Sequence, residues 1–272
     1  MIRVLTCILV SASLLLLTDT SLSADVEKGM QSKLAIDIGW ERLKYEEHEP
    51  DTGLDSHARM NNIVVGIEGL KRWRYVFSGI KFSTPVFLED GQETWASSGV
   101  TIQTDRLEYG WTRLDGYAGY PFMNGLNPYG GVRWSDSTQD RSDFVVSGTP
   151  VTLTARERVK SLSLLLGIRG NGNITPRWKW NYRMEYFSPV DVKVTNSALP
   201  GFKVTDSDGY TLELKGGAEY SYNKALSFGF FLYGGRMHWE GSGWLPFSGG
   251  TAKWPENNTD YIGGILTITL VD

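Results

Sequence analysis

The sequence predicts an all-β protein, a closed antiparallel up-and-down transmembrane β-barrel of about ten strands. Three observations lead to this prediction. Apolar and polar residues alternate with a period of two through most of the chain. The connections between the alternating segments are short and long in turn. Aromatic residues gather at the ends of the segments, while charged residues and glycines share the opposite face.

Composition narrows the class of protein before any element is assigned. The chain has 272 residues, 12% of them aromatic, with 31 Gly and a net charge of −4 at pH 7. Disordered chains are poor in aromatic residues, so we expect an ordered fold. A mean hydropathy of −0.25 argues against a bundle of membrane helices. A pI of about 5.5 argues against nucleic acid as a partner, because nucleic-acid binding needs a basic surface.

The N-terminal residues form a targeting segment. Arg3 supplies a positive charge, and residues 4–17 are almost wholly apolar but too short to span a bilayer comfortably. Small residues up to Ser23 match the requirement of a signal peptidase. We therefore predict a signal peptide at residues 1–23 and a single barrel domain at residues 24–272, with an uncleaved membrane anchor as the alternative.

Ten segments alternate with the period of a β-strand. In the cleanest segment, Trp178, Trp180 and Tyr182 share one parity and charged residues share the other. A strand places each set on one face, whereas a helix scatters both sets around its circumference. The segment 155–169 also fits an amphipathic helix, and counts of eight or twelve strands stay open. The predicted strands cover residues 33–46, 60–70, 73–84, 99–113, 128–136, 155–169, 177–190, 209–222, 226–239 and 259–271.

Apolar residues mark one parity in most of the other strands. They are Leu34, Ile36 and Ile38 in the first strand; Ile63, Val65 and Ile67 in the second; Leu107, Tyr109 and Trp111 in the fourth; Leu212 and Leu214 in the eighth; Phe228 and Phe230 in the ninth; and Leu266, Ile268 and Leu270 in the last. In the third strand, both parities carry apolar residues.

The connections between the strands alternate in length. They are tight after the second, sixth and eighth strands, as at 222–225, and intermediate at 114–127. After the odd-numbered strands they are long and acidic. A transmembrane β-barrel has this layout, with short periplasmic turns and long extracellular loops. The long connections cover residues 46–60, 85–98, 137–154, 190–208 and 240–258.

The charged parity favours a membrane barrel over a soluble one. Both kinds alternate, but a soluble barrel buries its apolar parity and a membrane barrel turns it towards lipid. Here the polar parity mixes both signs of charge with glycine, which suits a confined lumen where opposite charges pair across strands. The side chains predicted to line the lumen are Glu68, Glu108, Arg177, Lys179, Arg183, Glu185, Glu213, Lys215 and Glu219.

Aromatic residues near the strand ends form a second predicted set. Indole and phenol rings prefer the interface of a bilayer, which satisfies both an apolar body and a polar tip. Core packing is the alternative for each ring taken alone. The residues predicted to lie at the membrane interface are Trp40, Trp111, Trp178, Trp180, Tyr186, Tyr210 and Tyr220.

The pattern resembles that of the small outer-membrane β-barrel proteins of Gram-negative bacteria, over most of the mature chain. The alternating last strand from Tyr261 and the strand entry Pro128-Tyr129-Gly130-Gly131 carry the resemblance. It implies an outer-membrane location, with outer-membrane lipid and the barrel-insertion machinery as partners. Such proteins usually end on an aromatic residue, and Asp272 departs from that pattern.

Two acidic loops carry residues that could act in hydrolysis. Asp55 lies two residues before His57, as a general base and its orienting partner require. Asp206 and Asp208 in a later loop could position a water molecule. Together these pairs are similar to the Asp-Asp and Asp-His pairs of the omptin proteases, although their order along the chain is reversed.

Other motifs do not specify a cofactor. His48 lies in an acidic stretch without the spacing of metal ligands, and His238 near Ser227 is a candidate for lipid deacylation. Cys7 belongs to the signal peptide, so the mature chain lacks a thiol. We therefore predict no catalytic residue, no metal and no cofactor. The loop aromatics Trp95, Trp244, Phe247 and Trp254 either cap the barrel mouth or bind a sugar or a partner surface.

These features predict a non-enzymatic outer-membrane barrel with long acidic extracellular loops and a structural, surface or narrow-pore (porin-like) role. Two alternatives stay open. One is a hydrolase at the barrel rim, of the omptin or lipid-modifying kind, and the other is a soluble secreted β-barrel that binds a ligand inside. The directions of Leu214 and Phe230 separate the soluble alternative from the rest, because a soluble barrel packs them in its core.

Overall fold

The computed structural model describes residues 31–122, 125–205 and 207–272, and they form an all-β protein. The predicted signal peptide at residues 1–23 lies outside these residues. Within them, no helix is long and apolar enough to cross a membrane.

Long strands build the wall of the barrel. They are β1 (Gln31–Glu49), β2 (Leu54–Arg72), β3 (Phe77–Leu88), β4 (Gly91–Ser97), β5 (Val100–Gly119), β6 (Leu126–Val146), β8 (Ala155–Asn173), β9 (Trp178–Asn196), β11 (Gly209–Ser221), β12 (Leu226–Trp239) and β15 (Glu256–Val271). Four short strands lie in the connections: β7 (Thr149–Val151), β10 (Lys203–Val204), β13 (Leu245–Phe247) and β14 (Gly250–Ala252).

The wall is a closed antiparallel meander of ten strand positions. β3 and β4 both pair with β2 and with β5, so the two occupy one position. The last strand closes the sheet on the first, from Lys33 opposite Val271 to His48 opposite Glu256. Closure leaves no unpaired strand edge, as a sheet in hydrocarbon requires. The predicted fold class and all ten predicted strands are confirmed, including the segment at 155–169.

The two ends of the barrel differ as predicted, but three of the long loops are mostly strand. Short connections join β2 to β3, β8 to β9 and β11 to β12 at the end predicted to be periplasmic. At the other end, most residues of the expected loops at 46–60, 85–98 and 137–154 belong to β1, β2, β3, β4, β6 and β7. The reason is length: many wall strands have 19–21 residues, whereas about 9–11 cross a bilayer. The hairpin of β4 and β5 needs only Ser98 and Gly99, whose φ angles of 51° and 80° fit a type I′ turn.

An apolar band encircles the outer face of the barrel. Leu214 is 52% exposed and Phe230 is 55% exposed, so neither packs in a core. A soluble barrel would bury both side chains, and the soluble alternative is therefore excluded. The other exposed apolar residues of the band include Ile36, Ile38, Ile80, Leu114, Val132, Leu164, Leu166, Met184, Leu232, Ile262, Leu266 and Ile268.

Above the band, the outer face becomes polar, and the inner face carries buried apolar side chains beside its charged ones. The outward side chains there include Arg42, Arg59, Arg106, Glu108, Arg158, Lys160, Lys193 and Arg236, all exposed. The same strands bury a cluster that includes Leu43, Tyr45, Leu107, Tyr109, Val159, Val194, Met237 and Trp239. We call this part the extracellular extension, after the side of the membrane predicted for it; it comprises residues 42–60, 89–110, 136–160, 190–210 and 236–260.

Replacing Leu266 by arginine should destabilise the barrel by about 2–4 kcal/mol, because a charge then faces hydrocarbon. The matched control is His57→Arg on the exposed outer face of the extracellular extension, where we expect a change within about 0.5 kcal/mol. Urea unfolding in lipid vesicles measures both. Equal effects at the two positions would contradict a lipid-facing band.

Candidate functional site: the filled lumen

The lumen holds most of the charged residues predicted for it. The side chains of Glu68, Arg183, Glu185, Glu213 and Lys215 point inward and are at most 20% exposed. Lys179 and Glu219 are opposite each other on β9 and β11, half-buried near the periplasmic end. The Ser227 hydroxyl donates a 2.7 Å hydrogen bond to Glu219.

Two residues predicted to line the lumen and one predicted to lie at the membrane interface are found elsewhere. Arg177 is exposed in the turn before β9 rather than in the lumen, because the strand begins one residue later. Glu108 is exposed on the outer face, and Trp111, only 6% exposed, lies inside instead of at the membrane interface. The cause is the reversal of polarity along β5: in the extracellular extension the apolar parity of a strand faces inward.

The lowest charged network crosses the lumen from β2 to β9, which occupy opposite positions in the wall. The Arg183 guanidinium lies 2.5 Å from the Glu68 carboxylate, and Arg169 lies 3.6 Å from it. The Tyr117 hydroxyl also donates to Glu68. Beside this group, the Tyr129 hydroxyl donates a 2.8 Å hydrogen bond to Glu185.

The middle network centres on Glu213. Its carboxylate accepts hydrogen bonds from Arg113 at 2.9 Å, from Arg133 at 2.7 Å and from the Tyr261 hydroxyl at 2.6 Å. Arg133 also donates to both oxygens of Asp115, at 2.7 and 2.9 Å. Such two-pronged contacts are among the strongest hydrogen bonds in proteins. The contact of Arg113 with Glu213 joins β5 to β11 across the barrel.

The remaining groups of the middle network connect β1 to β5, β11 and β12. Lys215 lies 3.1 Å from Asp37, and Glu41 accepts hydrogen bonds from the Trp111 indole and the Tyr233 hydroxyl, both at 3.0 Å. A cavity of about 50 Å³ lies between these side chains. A cavity of this size is large enough to hold water.

The upper network lies in the extracellular extension and is rich in acid. Arg141 contacts Glu47 at 2.7 Å and Glu93 at 2.6 Å, and the Ser56 hydroxyl donates a 2.8 Å hydrogen bond to Glu93. Burial raises the pKa of Glu47 to about 7, although Arg141 opposes the shift. Burial would also raise the pKa of Glu93, but Arg141 and its hydrogen bonds keep it below its usual value.

Two further acids border this network. Burial, together with the charge of Glu93, raises the pKa of Asp105 to about 7. Glu157 accepts a 2.8 Å hydrogen bond from the Trp254 indole, and burial raises its pKa as well. Gln139 lies opposite Glu157 in the register, with its side-chain oxygen buried and without a donor.

The mouth of the barrel is covered from above. Trp254 is buried against Trp239, and Phe202 and Val204 of the connection between β9 and β11 belong to the same buried cluster. Of the other loop aromatics, Phe247 packs against this cluster, whereas Trp244 is exposed. The two extracellular connections on either side of β11 and β12 therefore fold over the lumen.

Among the described residues, the candidate catalytic side chains do not form the pairs that the sequence suggested. Asp55 contacts His48 at 2.5 Å across the β1–β2 hairpin, rather than His57, and both partners are exposed. Asp206 lies outside the described residues. His238 contacts Asn258 at 3.0 Å and Glu256 at 3.8 Å. In the part of the chain that the structure describes, no group of three or more His, Asp or Glu side chains could hold a metal ion.

The predicted interface aromatics other than Trp111 point outward. Trp178, Trp180 and Tyr220 lie near the periplasmic turns, and the rings of Trp178 and Tyr220 are 5.2 Å apart. Tyr186 and Tyr210, near the upper border of the apolar band, stack with their rings 6.4 Å apart. Trp40 is 50% exposed on β1.

Many lumen residues were missed from the sequence. They are Asp37, Glu41, Glu47, Glu93, Asp105, Arg113, Asp115, Arg133, Arg141, Glu157 and Arg169. The alternation of polar and apolar residues does indicate some of them, because Arg113 and Asp115 alternate with Leu114. The extracellular members share a parity with apolar residues, so alternation by polarity could not find them.

Replacing Glu213 by glutamine should destabilise the barrel by about 3–5 kcal/mol, because Arg113 and Arg133 lose a shared buried carboxylate. The control is Asp260→Asn, which breaks an exposed ion pair with Arg236 and should cost below about 1 kcal/mol. Urea unfolding in detergent measures both, and similar costs would contradict the role of the middle network.

The extracellular extension should be more stable at pH 5 than at pH 8. Glu47 and Asp105 have ordinary pKa values of 4.5 and 3.8 that the fold raises to about 7, so they hold protons more tightly when folded. Their contribution is complete below about pH 4 and is lost as the pH rises through 7.

The midpoint of thermal unfolding in detergent tests this dependence. We expect it to fall from pH 5 to pH 8 in the parent and to change less in the double variant Glu47→Gln/Asp105→Asn. Glu46→Gln, at a more exposed position, should keep the parent's dependence. A parent midpoint that rises with pH would overturn this assignment.

Comparison with known proteins shows which solved structures share this fold. No protein-family model matches the chain, and no curated protein matches it in sequence. Among solved structures, the chain is similar to the outer membrane protease OmpT from Escherichia coli, with a TM-score of 0.61 and 9% identity over 93% of this chain and 99% of that one. The outer membrane protein OprG from Pseudomonas aeruginosa matches with a TM-score of 0.38 and 7% identity, over 91% of this chain and 99% of that one. At such identities the likeness to OmpT concerns the fold alone, and the chain has the fold of an outer-membrane β-barrel protein.

Proposed function

We propose that this protein is a closed outer-membrane barrel that neither conducts solutes nor catalyses a reaction. Its extracellular extension would be the working part, a rigid surface held above the membrane. The proposal includes export by the predicted signal peptide, insertion by the barrel-insertion machinery, and contact with outer-membrane lipid.

The cross-lumen ion pairs carry this proposal. Glu68 with Arg183, and Glu213 with Arg113, each join strands that face each other across the barrel. A passing solute would have to separate these pairs, and leaving one buried charge uncompensated costs about 3–5 kcal/mol. The third network, around Arg141, and the covered mouth add two further barriers. A porin-like role would need a continuous aqueous path instead.

The arrangement of the histidines supports a non-enzymatic role. A rim hydrolase of the protease kind needs a base and its partner facing a groove that admits substrate. His48 and Asp55 form such a pair, but they lie on the exposed outer face of a hairpin tip. The inward acids, by contrast, are buried under Trp254 and the residues around it.

Conductance in a planar bilayer tests the closed state. We expect no channel from the parent at neutral pH, and small channels from the variant Arg133→Ser/Glu213→Ser, which removes the middle network. The matched control Arg236→Ser/Asp260→Ser removes an ion pair outside the lumen and should stay silent. Large, steady channels from the parent would contradict the proposal.

The same purified preparations test the hydrolase alternative against fluorogenic peptides and phospholipid. We expect no turnover by the parent. Turnover that His48→Ala abolishes and His57→Ala retains would replace the proposal with a rim hydrolase based on the contact of His48 with Asp55.

A further inference from the structure

A groove runs along β11 on the lipid-facing side of the barrel. Gly216 and Ala218 form its floor, and Phe228, Phe230 and Leu232 of β12 line one side. Its volume is about 730 Å³, within the range of about 300–1,000 Å³ that ligand sites occupy. The lining is almost wholly apolar, so the groove suits a hydrocarbon chain.

The neighbouring aromatic rings leave this groove open. Trp180 and Tyr182 are the register partners of Ala218 and Gly216 on β9. Their rings do not lean towards β11, because a side-chain carbon built on Gly172 or Gly170 of β8 would meet them at 2.5 and 2.3 Å. The two rings thus lie over the glycines of β8, and they leave the outer surface of β11 uncovered.

Two exposed cations flank the periplasmic end of the groove, and the acidic Asp272 follows Val271, whose N–H donates to the Ala225 carbonyl of the nearby turn. Trp178 and Tyr220 line this end, and their amphipathic rings mark the level of the lipid headgroups. Arg177 donates a 3.2 Å hydrogen bond to the Tyr220 hydroxyl and is otherwise exposed. Lys224 is exposed in the turn that joins β11 to β12. If the acyl chain of a lipid lay in the groove, these two cations would therefore lie near its headgroup.

A second copy of the chain fits this surface less well than a lipid does. The commonest dimers have two-fold symmetry and bring the same patch of both subunits together. Such a dimer would place groove against groove and leave the space between them unfilled.

We propose that the β11 groove binds one glycerophospholipid of the periplasmic leaflet, with an acyl chain over Gly216 and Ala218 and the phosphate at Arg177 and Lys224. This site goes beyond the proposed function, since it depends on the lipid-facing band and not on the closed lumen. Arginine and lysine are the usual partners of phosphate, through charge-assisted hydrogen bonds. An anionic headgroup should bind more tightly than a zwitterionic one.

Native mass spectrometry of the detergent-purified chain tests the groove, with phosphatidylglycerol and phosphatidylethanolamine as probes. We expect one retained phosphatidylglycerol per barrel and about tenfold weaker retention after Gly216→Leu/Ala218→Leu, which fills the floor. At Gly216 the nearest atom to an added side-chain carbon is 4.0 Å away, so the change should not disturb the wall.

The chain offers a matched control on β5. Gly116 and Ala118 follow Leu114 with the same spacing as Gly216 and Ala218 follow Leu214, and a carbon added at Gly116 meets nothing within 4 Å. Gly116→Leu/Ala118→Leu should leave lipid retention unchanged. Equal loss of bound lipid from both double variants, or no loss from either, would overturn the proposal. A dimer of the parent that dissociates only in the β11 variant would overturn it as well.

The headgroup end is tested separately. Arg177→Gln/Lys224→Gln should abolish the preference for phosphatidylglycerol over phosphatidylethanolamine while keeping the groove itself. Arg74→Gln in the turn between β2 and β3 removes a periplasmic cation far from the groove and should keep the preference. A preference that survives in the first variant, or vanishes in the control, would show that the two cations do not hold the phosphate.

Discussion

The structure depends on one constraint: backbone N–H and C=O groups in hydrocarbon have no water to bond and must pair with each other. The sheet meets it by closing β15 on β1 along sixteen register pairs, so the wall has no free edge. Closure then determines which way the side chains of the wall point. Alternate residues must face lipid or lumen, and every charge on the inner parity has to find a partner within a narrow space. The three networks around Glu68, Glu213 and Arg141 are the result.

The strands are longer than the bilayer is thick. Their extra length forms a second part of the barrel, in which apolar side chains face inward and charged ones face the solvent. Within the apolar band, Leu214 faces lipid while Glu213 faces the lumen. In the extracellular extension, Arg158 faces solvent while Val159 packs inside. The upper half therefore resembles a soluble β-barrel placed on a membrane barrel, with Trp254 closing its core. This arrangement favours a stable surface structure over a passage.

The strands and their membrane-facing parity could be predicted from the sequence, because a period of two and a lipid-facing apolar set are local properties. The reversal of polarity could not, since it depends on where the bilayer ends. On β5 it made Trp111 look lipid-facing and Glu108 look internal, whereas their positions are the opposite. On β8 the reversal between Val159 and Leu162 gave the segment its helix-like pattern. The partners across the lumen, such as Arg113 and Glu213, are 100 residues apart and follow only from closure.

Spin labels placed one at a time on residues 228–232 of β12, in a variant from which Cys7, the single cysteine, has been removed, show whether the apolar face lies in lipid. In lipid vesicles, labels at Phe228, Phe230 and Leu232 should collide with oxygen, which concentrates in hydrocarbon, and labels at Gly229 and Phe231 should be shielded. A water-soluble nickel chelate should reach none of the first three. If the chelate reaches Phe230 as readily as it reaches a label at the exposed His57, the apolar face is not in lipid and the account is wrong.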